Sequence, residues 1–181
     1  MSARLVLASM EYQKDFIQAL REGFRRGDAL AMKFGEIDKI EADFEGFFTS
    51  VTRQTGDILL PNGQSIPRVP HDYCWLVDGD TFIGEAGIRY RLNDWLTKVG
   101  GHIGYGIRPK FQRQGYGTLI LKLALERLRQ SGVKRALLTC YDHNIGSAKI
   151  IEANGGILDN VIDDPRGGGK SRRYWIDLAE A

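Results

Sequence analysis

The sequence has few cysteines, no long hydrophobic run and almost no net charge, and each shortage excludes a class of protein. Its two cysteines, Cys74 and Cys140, form neither a disulfide framework nor a metal-ligand spacing. Both stand in apolar runs, which indicates buried, reduced thiols and a cytoplasmic protein. With 25 basic and 23 acidic residues the formal net charge is +2, so neither nucleic acid nor a membrane is expected as a partner.

Hydrophobic runs are short throughout the chain. None approaches the roughly 18 apolar residues that a membrane-spanning helix needs. The first ten residues hold one arginine and no long apolar core, so we expect no signal peptide there. The 181 residues, 43% hydrophobic and 27% charged, are typical of one soluble globular domain. We therefore predict a single domain over residues 1–181.

Hydrophobic periodicity predicts a mixed α/β (α+β) fold with the element order β, α, α, three strands, then α-β-α-β-β. Residues 1–53 form a largely helical N-terminal part, with a strand at 4–8 and helical regions at 11–25, ended by Gly27, and at 28–53. Loops are predicted where turn-forming residues cluster, at 54–71 and 93–101. The remaining strands are predicted at 72–77, 81–90, 102–108, 133–140, 157–162 and 173–178, and the remaining helices at 115–130 and 144–155.

The clearest chemical signal lies between the strand at 102–108 and the helix at 115–130. This segment, which we call the phosphate loop, reads Gln112-Arg113-Gln114-Gly115-Tyr116-Gly117. Glycine at 115 and 117 lets backbone amides approach a ligand closely. The N-terminus of the helix adds unpaired N–H groups and a partial positive charge. The pattern predicts a site for a di- or triphosphate, although the glycines can also simply shape a tight turn.

Two other phosphate-binding motifs do not fit the sequence. A Rossmann fingerprint needs three glycines in the pattern G-x-G-x-x-G, and the phosphate loop has only two. The run Gly169-Lys170-Ser171 is no P-loop, because Asp164 stands at the place of its first glycine and no helix is predicted to follow.

Residues 107–117 resemble the GNAT acetyltransferase motif V-x-P-x-[YF]-[RQ]-x-x-G-x-[GA]. The run Asn144-Ile145-Gly146-Ser147, with Glu-Ala-Asn-Gly-Gly at 152–156, is similar to the helix that begins N-x-x-[SA] in that family. The resemblance is specific across 101–156, and the order of the strands matches that of the family over 72–178. Several runs of the sequence also resemble a subgroup of the family that is described only as predicted acetyltransferases. It implies a GNAT-like mixed, mostly antiparallel twisted sheet with central splayed strands and flanking helices. Residues 101–156 would form the cofactor-binding core.

The resemblance implies acetyl-CoA as the acyl donor and no metal. Backbone amides of the phosphate loop would hold its pyrophosphate, and the pantetheine would thread between strands 102–108 and 134–140. Gly104 and Gly106 would permit a bulge that opens this gap, and the N–H of Ile107 would polarise the thioester carbonyl. The implied cofactor-binding residues are Gly106, Ile107, Arg108, Gln112, Arg113, Gln114, Gly115, Tyr116, Gly117, Thr118, Asn144 and Ser147.

The catalytic acid and base do not follow from the resemblance. Many family members place a tyrosine acid where this chain has Ile151. Glu85 is a candidate base, with an ion pair to Arg89 as the alternative, because the two share a strand face. His102 titrates in the right range, although a histidine at a strand start is often structural. Tyr105 is a candidate acid for the departing thiolate, with packing as the alternative.

Other residues are weaker candidates for the chemistry. Tyr141 and Ser147 are possible proton donors, while Cys140 as an acyl-carrying nucleophile needs a base that the sequence does not place. A basic cluster could meet an acidic substrate or the cofactor's 3′-phosphate, or be a solvated loop; it comprises Arg166, Lys170, Arg172 and Arg173. An aromatic stripe could line an acceptor pocket or pack in the core; it comprises Phe44, Phe47 and Phe48.

The resemblance implies an N-acetyltransferase that acts on a primary amine of a small molecule or peptide by direct attack on the thioester. The alternative is a non-catalytic acyl-CoA-binding sensor, which the missing tyrosine makes conceivable. The strands at 157–162 and 173–178 are predicted to form a closing hairpin, which presents an edge through which a homodimer could form.

Overall fold

The computed structural model describes residues 2–25, 34–59, 63–167 and 169–179. Its strands are β1 (Arg4–Leu7), β2 (Asp57–Leu59), β3 (Ser65–Pro67), β4 (His71–Asp78), β5 (Thr81–Arg89), β6 (Ile103–Ile107), β7 (Arg135–Tyr141), β8 (Ile157–Asp163) and β9 (Lys170–Asp177). Its α-helices are α1 (Gln13–Arg21), α2 (Phe34–Ala42), α3 (Phe44–Thr52), α4 (Asp94–Lys98), α5 (Tyr116–Gln130) and α6 (Ile145–Ala153).

The strands form two main sheets that meet at one corner. One sheet has the order β1-β4-β5-β6 and the other β7-β9-β8, and neighbouring strands within each are antiparallel. Between them, the N–H of His102 donates to the carbonyl of Leu137 over 2.8 Å. From this joint β6 and β7 diverge, which confirms the predicted antiparallel architecture with splayed central strands and flanking helices.

Helices cover the β4–β5 hairpin on both faces. Helices α5 and α6 bury an aliphatic cluster that includes Ile83 and Ile88, and α1 to α3 bury an aromatic cluster on the opposite face. In the aromatic cluster the Phe16 ring stacks on Trp75 with centroids 4.9 Å apart. The aromatic stripe of α3 packs here, with Phe44 only 3% exposed, so its members belong to the core. Coverage on both faces explains why β4 and β5 read as nearly continuous apolar runs.

Helix α1 ends earlier than its periodicity predicts. Gly23 adopts a left-handed φ of 86°, and the N–H of Phe24 reaches back to Ala19 O over 2.9 Å. These contacts form a Schellman cap, which needs glycine at this position. The predicted stop at Gly27 lies outside the described residues, and so do residues 28–33 of the second predicted helical region.

Three predicted segments are more structured or more divided than expected. Helical region 28–53 contains two helices, because the Asp43 side chain accepts the N–H of Gly46 at 2.9 Å and starts α3. The loop predicted at 54–71 contains the β2–β3 hairpin, whose three-residue strands are too exposed to show an alternating pattern. The loop predicted at 93–101 contains α4, which Asn93 caps and which is too short for periodicity to reveal.

Both cysteines are buried and free, as predicted. Burial raises the pKa of the Cys74 thiol to about 11. Of the helices in the described part of the chain, none has the length and apolar character to cross a membrane.

Candidate active site

A cleft of about 730 Å³ opens where β6 and β7 diverge. Its walls come from β6, β7, the phosphate loop and the start of α6. The predicted site residues that line it are Tyr105, Gly106, Ile107, Gln112, Arg113, Gly117, Asn144 and Ser147. The topology therefore brings most of the predicted cofactor-binding segments to one cavity.

His102 joins β6 to β7 at the end of the cleft where the two strands are closest. Its backbone N–H donates to Leu137 O, and its ring Nδ1 accepts the N–H of Leu137 over 2.9 Å. Its carbonyl accepts the N–H of Arg89 at 2.7 Å. Burial lowers the pKa of the imidazole, and a ring that accepts at Nδ1 is neutral. These hydrogen bonds join the two sheets through His102.

The prediction of a bulge in β6 is wrong. Pairing with β5 runs without a register shift from Ile88–Ile103 to Gly84–Ile107. The gap opens because β6 and β7 diverge from the joint at His102, and the glycines of β6 keep regular strand geometry.

The direction of the β6 peptide groups decides which of them face the cleft. The N–H of Arg108 donates to Ile83 O over 2.8 Å. Because hydrogen-bonded and non-bonded pairs alternate along antiparallel strands, the peptide group of Gly106 also faces β5. Those of Tyr105 and Ile107 face the cleft instead. The N–H of Ile107 is therefore directed into the cleft, whereas Gly106 contributes only its lack of a side chain.

The phosphate loop has the backbone of an anion site. Arg113 has a φ of 60° and Gly115 a φ of 85°, and Gly115 immediately precedes α5. Left-handed residues in such a turn point successive N–H groups to one concave side, which binds anions. A left-handed non-glycine residue costs about 1 kcal/mol, and such strain is concentrated at functional sites. The loop therefore fits the pyrophosphate that the family resemblance implies.

The side chains of this loop brace its backbone. Gln112 Nε2 donates to Ile107 O over 3.0 Å, and Gln114 Nε2 donates to Lys110 O over 2.8 Å.

Gly117 has a packing role that its sequence pattern does not reveal. A Cβ at this position would lie 2.6 Å from Cδ1 of Ile150, a residue that lines the cleft. A side chain at 117 would therefore push Ile150 toward the cofactor space.

The Arg108 side chain turns away from the cleft and is fully buried. Its Nε and Nη2 donate to the two carboxylate oxygens of Glu22 over 2.6 and 2.8 Å. Its Nη1 donates to Asp15 Oδ2 over 2.7 Å. The Arg108 hydrogen bonds lower the pKa of Glu22 to about 2. The guanidinium thus links the end of β6 to α1, and sequence reasoning missed both carboxylates because they lie more than 80 residues away.

Two hydroxyl groups meet across the cleft. Asn144 Oδ1 accepts the N–H of Ser147 over 3.0 Å and begins α6. The Ser147 hydroxyl lies 3.0 Å from that of Tyr105 on β6. Ile151, which stands where a tyrosine acid is expected, is 1% exposed and packs in the aliphatic cluster. Tyr105 and Ser147 line the cleft, whereas Ile151 is not among its lining residues.

Glu85 lies one strand behind the cleft edge. It is buried, accepts a hydrogen bond from the Tyr73 hydroxyl and pairs across the strands with Gly106. Since Gly106 has no side chain, nothing on that residue screens the carboxylate from the cleft. Arg89 occupies the same sheet face and donates from Nη1 to Gly101 O over 3.2 Å.

Each arginine of the predicted basic cluster has an internal partner. Arg166 pairs with Asp164 over 2.7 Å and lies 4.5 Å over the Tyr141 ring. Arg172 pairs with Asp142 over 2.7 Å, and Arg173 donates to Thr97 O over 2.9 Å. Within the described ranges, no group of three or more His, Cys, Asp or Glu side chains is placed to hold a metal ion.

The fold is shared with N-acetyltransferases of known structure. An acetyltransferase from Salmonella typhimurium that modifies the N-terminal serine of ribosomal protein L7/L12 matches with a TM-score of 0.66 at 13% identity, over 98% of this chain and 95% of that one. A phosphinothricin acetyltransferase from Sinorhizobium meliloti in complex with acetyl-CoA matches with a TM-score of 0.59 at 15% identity, over 98% and 89%. A chimera of Vibrio cholerae spermidine N-acetyltransferase and hSSAT matches with a TM-score of 0.61 at 11% identity, over 98% and 96%.

Sequence comparison identifies the family directly. No curated protein matches the chain. The family model described as "Acetyltransferase (GNAT) domain" matches residues 4–157, which extend from β1 to the first residue of β8 and include every residue that lines the cleft except Arg166. The chain belongs to the GNAT acetyltransferase family.

Proposed function

We propose that the protein transfers the acetyl group of acetyl-CoA to a primary amine of a small molecule or peptide. The observation that carries the proposal is the cleft, which is lined by the phosphate loop with its left-handed Arg113 and Gly115 and by Ile107 of β6. Proteins with this fold include enzymes named for phosphinothricin, spermidine and an N-terminal serine, which supports an amine as the acceptor.

The cofactor would lie along the cleft. Backbone amides of the phosphate loop and Thr118 would hold the pyrophosphate, and the edges of β6 and α6 would hold the pantetheine. When bound, acetyl-CoA supplies the acetyl group as an activated thioester. The N–H of Ile107 would donate to the carbonyl oxygen, where negative charge develops as the amine attacks.

Proton transfer is proposed for residues on the two sides of β6. The Tyr105 hydroxyl, held 3.0 Å from that of Ser147, would give a proton to the departing sulfur. Glu85 would take the amine proton through a water beside Gly106. For His102, named from the sequence as a third candidate, we propose the structural role that its bonds to Leu137 support.

Release of free thiol from acetyl-CoA, measured across a panel of primary amines, tests this function. Turnover with at least one amine is expected, and cofactor binding without thiol release for any amine would instead support the sensor alternative. Membership in an acetyltransferase family does not favour that alternative.

The N-terminal part and the sheet edge have proposed roles as well. Residues 1–53 would form the acceptor side, and residues 101–156 the cofactor-binding core, of one domain over 1–181. Strand β8 is an edge strand whose residues Ile157, Leu158 and Val161 are 74%, 49% and 43% exposed, which supports a homodimer formed through this edge. The buried free thiols support a cytoplasmic location.

A further inference from the structure

A second cavity, of about 280 Å³, adjoins the closed end of the cleft. The two cavities share Arg89, Gly100 and Arg166. The other walls of the second cavity come from the β2–β3 hairpin, the segment after it and α4, which bring Arg68 and Trp95 to its surface. It lies at the opposite end of β6 from the phosphate loop, about 16 Å away along five strand residues. A ligand there would therefore be on the far side of the thioester from the pyrophosphate.

The charge of this cavity is of one sign. Its basic lining residues are Arg68, His71, Arg89 and Arg166, and none of the described residues that line it is Asp or Glu. Arg166 is neutralised by Asp164. The two ring nitrogens of His71 lie 3.1 and 3.2 Å from carbonyl oxygens. Arg68 and Arg89 are left as the cations that can meet a ligand.

Neither of these two arginines has a carboxylate partner within the part of the chain that the structure describes. Arg89 donates to a neutral carbonyl, that of Gly101, and burial lowers the pKa of its guanidinium. The Nε of Arg68 is buried and has no hydrogen-bond partner among the described residues. Partial burial of a cation without a nearby anion costs free energy, and such groups are normally paired. The planar guanidinium matches a carboxylate with two parallel hydrogen bonds.

We propose that Arg89 and Arg68 bind an acidic group of the acceptor, a carboxylate, while the acceptor's amine reaches the thioester in the cleft. The inference rests on the proposed function, and it narrows the acceptor to primary amines that carry a carboxylate, such as amino acids. Polyamines and simple alkylamines are disfavoured, because they would place a cation or nothing beside two uncompensated arginines. The apolar walls around Trp95 and Leu96 suit the carbon chain between the two groups.

Matched pairs of acceptors test this proposal. Each pair consists of an amino acid and its amide, such as leucine and leucinamide or 4-aminobutyrate and its amide, so that the two differ chiefly in the negative charge. We expect kcat/KM for thiol release to be at least about tenfold higher for the acid, the size of one charge-assisted hydrogen bond. The amide's amine has the lower pKa and is more often neutral, so a preference for the acid cannot arise from amine protonation. Equal rates, or a preference for amides or spermidine, would overturn the inference and leave acetyl transfer standing.

Arg89→Met should remove the preference for the acid while the KM for acetyl-CoA stays unchanged, and Arg89→Lys should retain part of it. Arg129→Met, which removes an exposed arginine from α5, is the matched control and should keep the full preference. A cooperative thermal unfolding transition, measured by circular dichroism, shows that Arg89→Met is folded. A full preference for the acid in Arg89→Met would contradict the proposal.

Product binding separates this inference from the proposed function. If no amine supports thiol release, thermal unfolding with N-acetyl-leucine and with N-acetyl-leucinamide, each in the presence of CoA, decides the matter. Stabilisation by the acid alone supports the pocket although transfer has failed. No stabilisation by either compound in such an inactive protein would overturn both.

Discussion

Arg108 and Glu22 form a two-bond ion pair across 86 residues of sequence, with Nε–Oε2 and Nη2–Oε1 distances of 2.6 and 2.8 Å. The pair joins the last turn of α1 to the residue that leads from β6 toward the phosphate loop. Helix α1 and the phosphate-loop end of β6 are therefore held together by one side chain that does not face the cleft.

Arg108→Met should destabilise the fold by about 3 kcal/mol, at the low end for a broken buried ion pair because both carboxylates keep some solvent contact. Urea denaturation measures the loss. Arg21→Met, which breaks exposed pairs with Asp38 and Glu41, is the control and should unfold at nearly the wild-type midpoint. Equal effects of the two substitutions would show that Arg108 does not link α1 to β6.

The same pair predicts a loss of stability in acid. The pKa of Glu22 is about 2 in the folded protein, below the usual value near 4.3 in an unfolded chain. A carboxyl group with a depressed folded pKa stabilises fully above the unfolded pKa and loses this contribution as pH falls through the folded one. Stability should therefore fall between about pH 4.5 and pH 2. In Glu22→Gln this component should be absent, and a wild-type acid slope in that variant would contradict the assignment.

His102→Ala should affect the fold more than the chemistry. The buried ring has a lowered pKa, so the unfolded chain takes up the proton first and stability falls below about pH 6.5. The variant should lose this pH dependence and melt at a lower temperature, as measured by circular dichroism. Below its melting temperature we expect kcat within about tenfold of wild type. A loss of 100-fold or more in folded enzyme would instead assign His102 to general base catalysis.

Tyr105→Phe should lower kcat by about 10² without changing the KM for acetyl-CoA, because the hydroxyl is proposed to act on the leaving sulfur. Ser147→Ala should have a smaller effect in the same direction. Tyr174→Phe removes a hydroxyl that is bonded to Glu152 and should retain wild-type kcat. If the two tyrosine variants behave alike, the proton comes from another group.

Ile157→Lys should weaken a homodimer formed through β8. Leu59→Lys is the matched control, since both side chains are 74% exposed but Leu59 lies on the β2–β3 hairpin. Light scattering should show dimers for wild type and Leu59→Lys and monomers for Ile157→Lys. A dimer that survives Ile157→Lys would place the interface elsewhere.

The sequence predicted those parts of the molecule whose signal is local. β4 and β5 are nearly continuous apolar runs and β7 has an apolar centre, Asn144 caps α6 as expected, and the phosphate loop carries its glycines in a recognisable order. Short or exposed elements such as the β2–β3 hairpin gave no periodic signal. Helix α1 ends earlier than predicted because the Schellman cap at Gly23 stops it, although the helical hydrophobic pattern continues beyond this residue.

Relationships between distant segments were not predictable in the same way. The Tyr105–Ser147 pair joins residues 42 positions apart, and Arg108 meets carboxylates that no motif connects to it. The second cavity is lined by Arg68 and Arg89 from separate segments, and in the sequence each of them alone is indistinguishable from an ordinary surface charge. Only the packing of the segments shows that these side chains meet.

Titration of acetyl-CoA into Gly115→Val and Gly132→Val tests the central claim, that the phosphate loop holds the cofactor. Both glycines adopt nearly the same left-handed backbone, with φ values of 85° and 88°, at opposite ends of α5. The strain of a valine is therefore similar at the two positions. We predict that Gly115→Val weakens acetyl-CoA binding about 100-fold, roughly 2.7 kcal/mol, while Gly132→Val binds like wild type. Equal affinities of two folded variants would contradict the assignment of the cleft as the cofactor site.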